Sequence, residues 1–424
     1  MVAEILAFLI ATLFFLKWSM RDIKYMMAYL LIISLLFSGL LRTVNFGGVR
    51  LAGVYALGLV TLYLVVSIYQ RPKLGLKRHD LTLGIFVFYC LFTLITSLYY
   101  NRFTSALVDY SWFFWFIAVV YLVILNNRDS ELYDLVQKII YISGIILTIG
   151  GIFRFLLDQG FVNTTGDVFY IVGSKSVIVG LAFIIAFYNN VRYRRLVLFI
   201  LFIGLVLSLK RQVYLGLLAA LFFNYVFFRK DVDFKHVAKI TVVGVVTILA
   251  LTQLNLASIG PLKGVFGKFG GGNLQNMLTD PAVMYRFASY TTAINGVLES
   301  PILGEGWGSS FEFKLVLGGE TQYFDHSPHN TFLWMAYKGG LPMLFLYSYL
   351  IFYPFYKLYK IRNKILEKRK YKTVFGMLIL ITFGSLFWDY HSVMFLSVPY
   401  WFVWAFAYKT VTQFKTTRVA LCPK

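Results

Sequence analysis

The sequence is short of charge, and shortest of negative charge. Only 14% of its 424 residues are charged, where a water-soluble domain is about a quarter charged. There are 19 Asp+Glu against 40 Lys+Arg. Cysteine is nearly absent too. Cys90 lies in an apolar run and Cys422 at the C-terminus, so neither a disulfide framework nor a cysteine metal motif is implied. These scarcities exclude a soluble enzyme, a disordered chain and a disulfide-stapled secreted scaffold. What is abundant is apolar: 59% of the residues are hydrophobic. A soluble fold of this length has no interior large enough for them. The composition therefore predicts an all-α, polytopic integral membrane protein. The net charge of +21 would point to nucleic acid in a soluble protein. Here it reads as loop charge, and no nucleic-acid partner is expected.

A bilayer core about 30 Å thick needs roughly 20 apolar residues per helix. Such runs lie near 2–17, 25–41, 51–69, 81–99, 109–125, 133–157, 168–188, 195–209, 212–228, 238–254, 336–356, 373–389 and 393–408. That gives about 12–13 transmembrane helices by the same length rule. The break at Lys210–Arg211 is the least secure, since the flanking runs also read as one long helix. The first run is not read as a signal peptide. Glu4 stands where a basic region belongs, and no small-residue cleavage site precedes Lys17. Three parts follow: a helix bundle over 1–254, a long external loop over 255–330 holding short helices and the catalytic elements, and C-terminal helices with a cytoplasmic tail over 331–424.

With the N-terminus outside, basic residues gather on alternate loops. The inside loops hold clusters such as Arg192, Arg194 and Arg195, and the segment 357–372 is the richest of all. The exception is the short Lys210–Arg211 turn, which puts two cations outside. The segment 255–330 then also lies outside. It is punctuated by Gly and Pro, so it is not one span, although 280–299 has helical spacing with Pro281 at a first turn. A loop this long in a compact protein is usually functional.

Candidate chemistry gathers on that outer side. Asp325-His326-Ser327-Pro328-His329-Asn330 stands where the loop re-enters the membrane. Histidine is the default general base near neutral pH. A helix cap accounts for Ser327 and Asn330, with Pro328 at a first turn, but has no need of histidine. A zinc site on Asp325, His326 and His329 lacks a further ligand cluster, so no metal is expected. Arg211 and Arg286 are outside cations of the kind that bind phosphate bidentately, with Lys210 beside the first. Arg154 and Lys175 interrupt apolar runs, where snorkelling and a polar cavity both fit. Pro301 to Ser310 alternates glycines, which suits either close backbone approach to a ligand or a plain turn. Trp307, Tyr323, Trp334 and Tyr337 surround the histidines; sugar stacking and interface anchoring explain them equally. Asp231-Val232-Asp233 has the look of the acidic metal motif of sugar-nucleotide transferases, but falls on the inner side and reads as a solvated loop.

Together these pieces resemble the bacterial O-antigen ligase and O-antigen polymerase superfamily. That family couples a Ser-Arg-type turn between middle helices to a long periplasmic loop. The loop has an Arg-bearing helix, a Pro-x-x-Gly-x-Gly-x-Gly segment and Pro-His-Asn at the head of the next helix. Here these are Lys210-Arg211, Tyr285-Arg286, Pro301 to Gly308 and Pro328-His329-Asn330. His329-Asn330 is followed by nine residues, then Gly340-Leu341-Pro342-Met343, with Tyr347 beyond. Met343 replaces the family's second glycine, and Lys210 its small residue before the arginine. The resemblance covers residues 210–347.

It implies a GT-C-type membrane enzyme acting on undecaprenyl-pyrophosphate-linked glycans as donor and acceptor. The chemistry suits the residues. A pyrophosphate leaving group needs cations rather than a proton, and the acceptor hydroxyl needs a base. The resemblance thus makes His329 the base and Arg211 and Arg286 the cations. Lys210, Asn330, His326, Trp307, Tyr323 and Tyr347 become substrate contacts. It implies no cofactor, no metal, and no glycosidase-type carboxylate pair. It also implies an inner-membrane location with the site on the periplasmic or external side, in contact with membrane lipid, beside a flippase and a chain-length regulator. Ligases often carry Ser-Arg-Gly where this chain has Lys210-Arg211-Gln212, which favours a polymerase over a ligase. A transporter is the alternative from another class, but no inverted repeat supports one.

Overall fold

A computed structural model describes residues 23–32, 45–46, 49–50, 81–100, 106, 109–124, 129–157, 175–208, 210–228, 281–317, 320–325, 327–362, 368–387 and 394–421. The spans expected near 2–17, 51–69 and 238–254 lie outside the described residues. So do the loop part 255–280, Asp231 and Asp233, and His326.

The described residues are almost wholly helical. The helices are α1 (Ile23–Ile32), α2 (Leu81–Tyr100), α3 (Ser111–Ile124), α4 (Asp129–Leu157), α5 (Ser176–Tyr188), α6 (Arg194–Ser208) and α7 (Arg211–Phe228). There follow α8 (Pro281–Glu299), α9 (Thr331–Ile361), α10 (Lys368–Ser385) and α11 (Met394–Leu421). A two-residue antiparallel pair, β1 (Asn45–Phe46) and β2 (Val49–Arg50), lies early in the chain. Between α8 and α9 comes an antiparallel hairpin, β3 (Glu312–Leu317) and β4 (Glu320–Asp325), in register from Glu312 opposite Asp325 to Leu317 opposite Glu320. The described part of the segment 255–330 holds one 19-residue helix and this β-hairpin. The insecure break is real, for α6 ends at Ser208 and α7 begins at Arg211. Tyr214 ties the turn, its hydroxyl donating to the carbonyls of Leu205 (2.6 Å) and Val206 (2.8 Å).

By length and composition, Leu132–Phe153 is the full-length membrane-span candidate among the described residues. Shorter apolar helices cover Leu83–Tyr99, Ser176–Tyr188 and Gln212–Phe228. Several helices also turn apolar stripes outward. On α2, Leu81, Ile85, Phe88, Phe92, Ile95 and Tyr99 recur at three- and four-residue spacing and all are exposed. On α9, Phe345, Tyr349, Phe352, Tyr356 and Tyr359 do the same. Surface helices of soluble proteins bury such a stripe and expose the polar face. An exposed apolar stripe on helix after helix is the pattern of a lipid-facing wall.

The main core draws its buried residues from α1 to α7 and from α9 to α11. Helix α3 packs on α11, α7 on α10, and α4, α5 and α6 pack together. The seam between α3 and α11 is aromatic: Phe116 meets Trp401 edge-on at 4.5 Å, and Trp112 stacks on Trp401 at 6.1 Å. Such pairs add about 0.5–1.5 kcal/mol beyond area burial. At the far end of this seam the buried Lys409 donates to the Val123 carbonyl at 2.7 Å.

A second, smaller core sits apart. It joins Ala293 and Val297 of α8, Phe311 and Phe313 at the start of the hairpin, and Trp334, Ala336 and Tyr337 of α9. It mounts the candidate site.

Candidate functional site

Helix α9 starts where its sequence says it should. Asn330 is the N-cap: its Oδ1 accepts from the amides of Phe332 (2.9 Å) and Leu333 (3.1 Å). Pro328 therefore precedes the helix and is not in its first turn, which corrects that part of the cap reading. His329 is the residue just before the cap, and it is partly exposed. Capping fixes the backbone on its C-terminal side.

Helix α8 fixes His329 from the other direction. The ring of Tyr285 lies 5.6 Å from the imidazole and 4.8 Å, edge-on, from Phe313. The hydroxyl of Tyr290 donates to the His329 carbonyl at 3.2 Å. Burial pushes both phenols up, and at Tyr290 the nearby Arg286 guanidinium works the other way. Both remain neutral around pH 7. Arg286 lies between them on the helix, next to Tyr285 and one turn before Tyr290, and is exposed. Positions four apart share a helix face. Arg286 is thus on the helix that contacts His329, on the side shared with Tyr290. Arg211 is the first residue of α7, whose partners include α10 and α5. Lys210 accepts from the amides of Val213 and Tyr214 through its carbonyl, opening that helix.

The glycine-rich segment does something other than approach a ligand. Helix α9 is broken at Gly340, where φ is 73° and ψ −177°. That conformation is essentially reserved for glycine. The break frees carbonyls. Leu341 sends its amide to Pro301 (2.8 Å) rather than to Tyr337, and Pro342 has no amide to give Lys338. The glycine loop supplies both missing donors: Glu305 N–H bonds the Tyr337 carbonyl at 2.8 Å, and Gly306 N–H bonds that of Lys338 at 3.2 Å. Tyr89 of α2 adds its hydroxyl to the carbonyls of Ile302 (2.8 Å) and Gly339 (2.9 Å). Backbone meets backbone here. A Cβ on Gly304 would come within 2.5 Å of the Tyr337 oxygen, and one on Gly340 would overlap the Ile302 oxygen. The alternating glycines splice a loop onto a broken helix.

Four of the aromatic residues singled out in the sequence are buried. Trp307 is 0% exposed. Its Nε1 donates to Thr93 Oγ1 at 3.2 Å and its amide to Ser97 Oγ at 2.7 Å, so it plugs the loop into α2. Trp334 and Tyr337 are buried and stack on each other at 6.1 Å. Tyr347 is 0% exposed and shares a 3.0 Å hydrogen bond with Tyr400. None of these four rings offers a face to a sugar; each is part of a core. Tyr323 differs. It is 69% exposed on β4, with the Lys314 ammonium 5.3 Å from its ring. Lys175 precedes α5 and is partly buried, and Arg154 lies in the last turn of α4.

One pair was missed altogether. Lys338, with a fully buried side chain, lies 2.8 Å from the Asp109 carboxylate. The visible signal was a lone lysine in the run TFLWMAYKGGLP; its partner, more than two hundred residues away, left none.

Residues 196–348 match the family model described as O-antigen ligase. No curated protein matches the chain. The matched segment runs from α6 to the middle of α9. It contains Arg211, Arg286, the glycine loop, His329 and Tyr347. It supports the resemblance to the O-antigen ligase and polymerase superfamily, and with it a membrane protein of polysaccharide biosynthesis.

Proposed function

We propose that this protein is a multi-pass inner-membrane glycosyltransferase that polymerises undecaprenyl-pyrophosphate-linked repeat units on the external side. The observation that carries this reading is the contact of Tyr285 and Tyr290 of α8 with His329, with the exposed Arg286 between them on the helix, inside the segment that matches the family. His329 takes the proton of the acceptor sugar hydroxyl. The hydroxyl oxygen attacks the anomeric carbon of the donor from the face opposite the phosphate. The bond from that carbon to the phosphate oxygen breaks, and the undecaprenyl pyrophosphate leaves with the electron pair. Configuration at the anomeric carbon inverts. Arg286 and Arg211 hold the leaving pyrophosphate, with Lys210 assisting, so the reaction needs neither a metal nor a proton on the leaving group. Asn330 acts by holding the backbone next to His329. Tyr323 offers its exposed ring to a glycan. The external hairpin and α8 belong to one catalytic loop between two sets of transmembrane helices, served by a flippase and a chain-length regulator.

The family description itself favours a second reading, transfer of a finished chain onto lipid A–core. The middle turn, Lys210-Arg211-Gln212, favours the polymerase. The glycan profile of a strain lacking the protein separates them. A single repeat unit on the lipid core is the polymerase result. Naked core with accumulated lipid-linked polymer is the ligase result. An unchanged profile contradicts both.

A further inference from the structure

We propose that Asp109 and Lys338 form a positioning clasp that sets where the head of α9, and with it His329, sits. This rests on reading His329 as the base. The break at Gly340 makes residues 331–339 a short rigid piece attached to the rest of α9 through a non-helical joint. Its orientation therefore depends on what grips it from the side. Lys338 is the grip. Its ammonium donates to the Asp109 carboxylate at 2.8 Å, to the Ser309 carbonyl at 2.7 Å and to Ser309 Oγ at 3.0 Å. It also lies 4.4 Å from the centre of the Trp334 ring, one turn back toward the cap. The same Asp109 oxygen accepts the Gly308 amide at 2.9 Å. Three segments distant in sequence meet here: the lead into α3, the end of the glycine loop, and the last turn before the break.

A plain packing role does not require this chemistry. The Lys338 side chain is 0% and the Asp109 side chain 27% exposed, and such a pair is poor evidence for stability, because taking charge out of water offsets the attraction. An apolar side chain would fill the same space. What the pair adds is direction. One carboxylate oxygen is shared between a loop amide and a helix-borne ammonium, so loop and helix head move together or not at all.

The test uses the full-length protein in detergent or nanodiscs and has two arms. The first is hydrogen exchange across 301–310. Asp109→Asn keeps an acceptor for Gly308 but removes the charge. It should speed exchange of the Glu305 and Gly306 amides by about 10-fold, since local opening sets their protection. The second is turnover on lipid-linked glycan. Asp109→Asn and Lys338→Met should each lower kcat by about 10²-fold with KM unchanged, the usual result of displacing a catalytic group by about 1 Å. The double variant should be no worse than the worse single one, because both remove the same contact. If Lys338→Met fails to insert, the Asp109→Asn results decide alone. Unchanged exchange overturns the clasp, whatever the His329 variants do. Where His329→Ala itself loses turnover, faster exchange with unchanged kcat, a loss confined to KM, or single losses that multiply in the double variant also overturn it. The exchange arm needs no substrate, so a wrong assignment of His329 leaves it standing.

Discussion

The two cores of this protein are held by different forces. Around α3 and α11 the interior is aromatic, with Trp112, Trp401 and Trp404 fully buried and in ring contact along one seam. Its order comes from packing. Around His329 the apolar core is small, and order comes from hydrogen bonds that cross a broken helix. The amides of Glu305, Gly306 and Leu341 donate hydrogen bonds to carbonyls of the segment opposite, and the Asp109–Lys338 ion pair closes the end. Packing is non-directional, whereas hydrogen bonds and ion pairs fix angles. The difference teaches that the bundle is ordered by packing and the candidate site by directed bonds. Regions with few apolar contacts open locally at lower free energy.

Substitutions can break each side of this contrast. The largest effect is expected at Gly340. Gly340→Ala forces a side chain into a conformation strained by on the order of 1–3 kcal/mol. Its Cβ also overlaps the Ile302 oxygen, which cannot retreat without losing its neighbours' hydrogen bonds. The site region should become protease-sensitive while the bundle stays inserted, and turnover should vanish. Next comes Trp307→Ala, which severs the bridge between the two regions. Truncating a buried tryptophan costs about 3–5 kcal/mol. A thermal unfolding scan should show a large fall in midpoint, because this loop residue is packed into the main core. Third is Asn330→Ala, which removes a cap worth about 1 kcal/mol. It should lower the midpoint slightly and turnover modestly. An Asn330→Ala loss as deep as that of Gly340→Ala would mean that the cap, not the splice, organises the site.

Much of the bundle was legible because a lipid-spanning helix must be long and apolar. The runs read at 81–99, 195–209 and 212–228 became α2, α6 and α7 within one residue at each end. The hairpin was legible too, though it was read as punctuation. EFKLVL and ETQYFD flank Gly318-Gly319, a strong two-residue hairpin signal. Of the site, the sequence shows motif residues but not their duties. The glycines of 301–308 invite a ligand reading, and only the freed carbonyls of Tyr337 and Lys338 reveal what they satisfy. Trp307 and Tyr347 are aromatic in either role, and burial alone separates anchor from platform. The Asp109–Lys338 pair is a tertiary fact with no local pattern.

The central claim is that His329 is the base at the head of α9. The direct measurement is single-turnover transfer by purified His329→Ala protein, with His326→Ala as its companion and the amount of inserted protein as the control. Loss of a general base predicts a drop of about 10²-fold or more for His329→Ala, with normal insertion. His326→Ala should lose far less. Full transfer by well-inserted His329→Ala protein would contradict the account and leave His329 as the residue that precedes a helix cap.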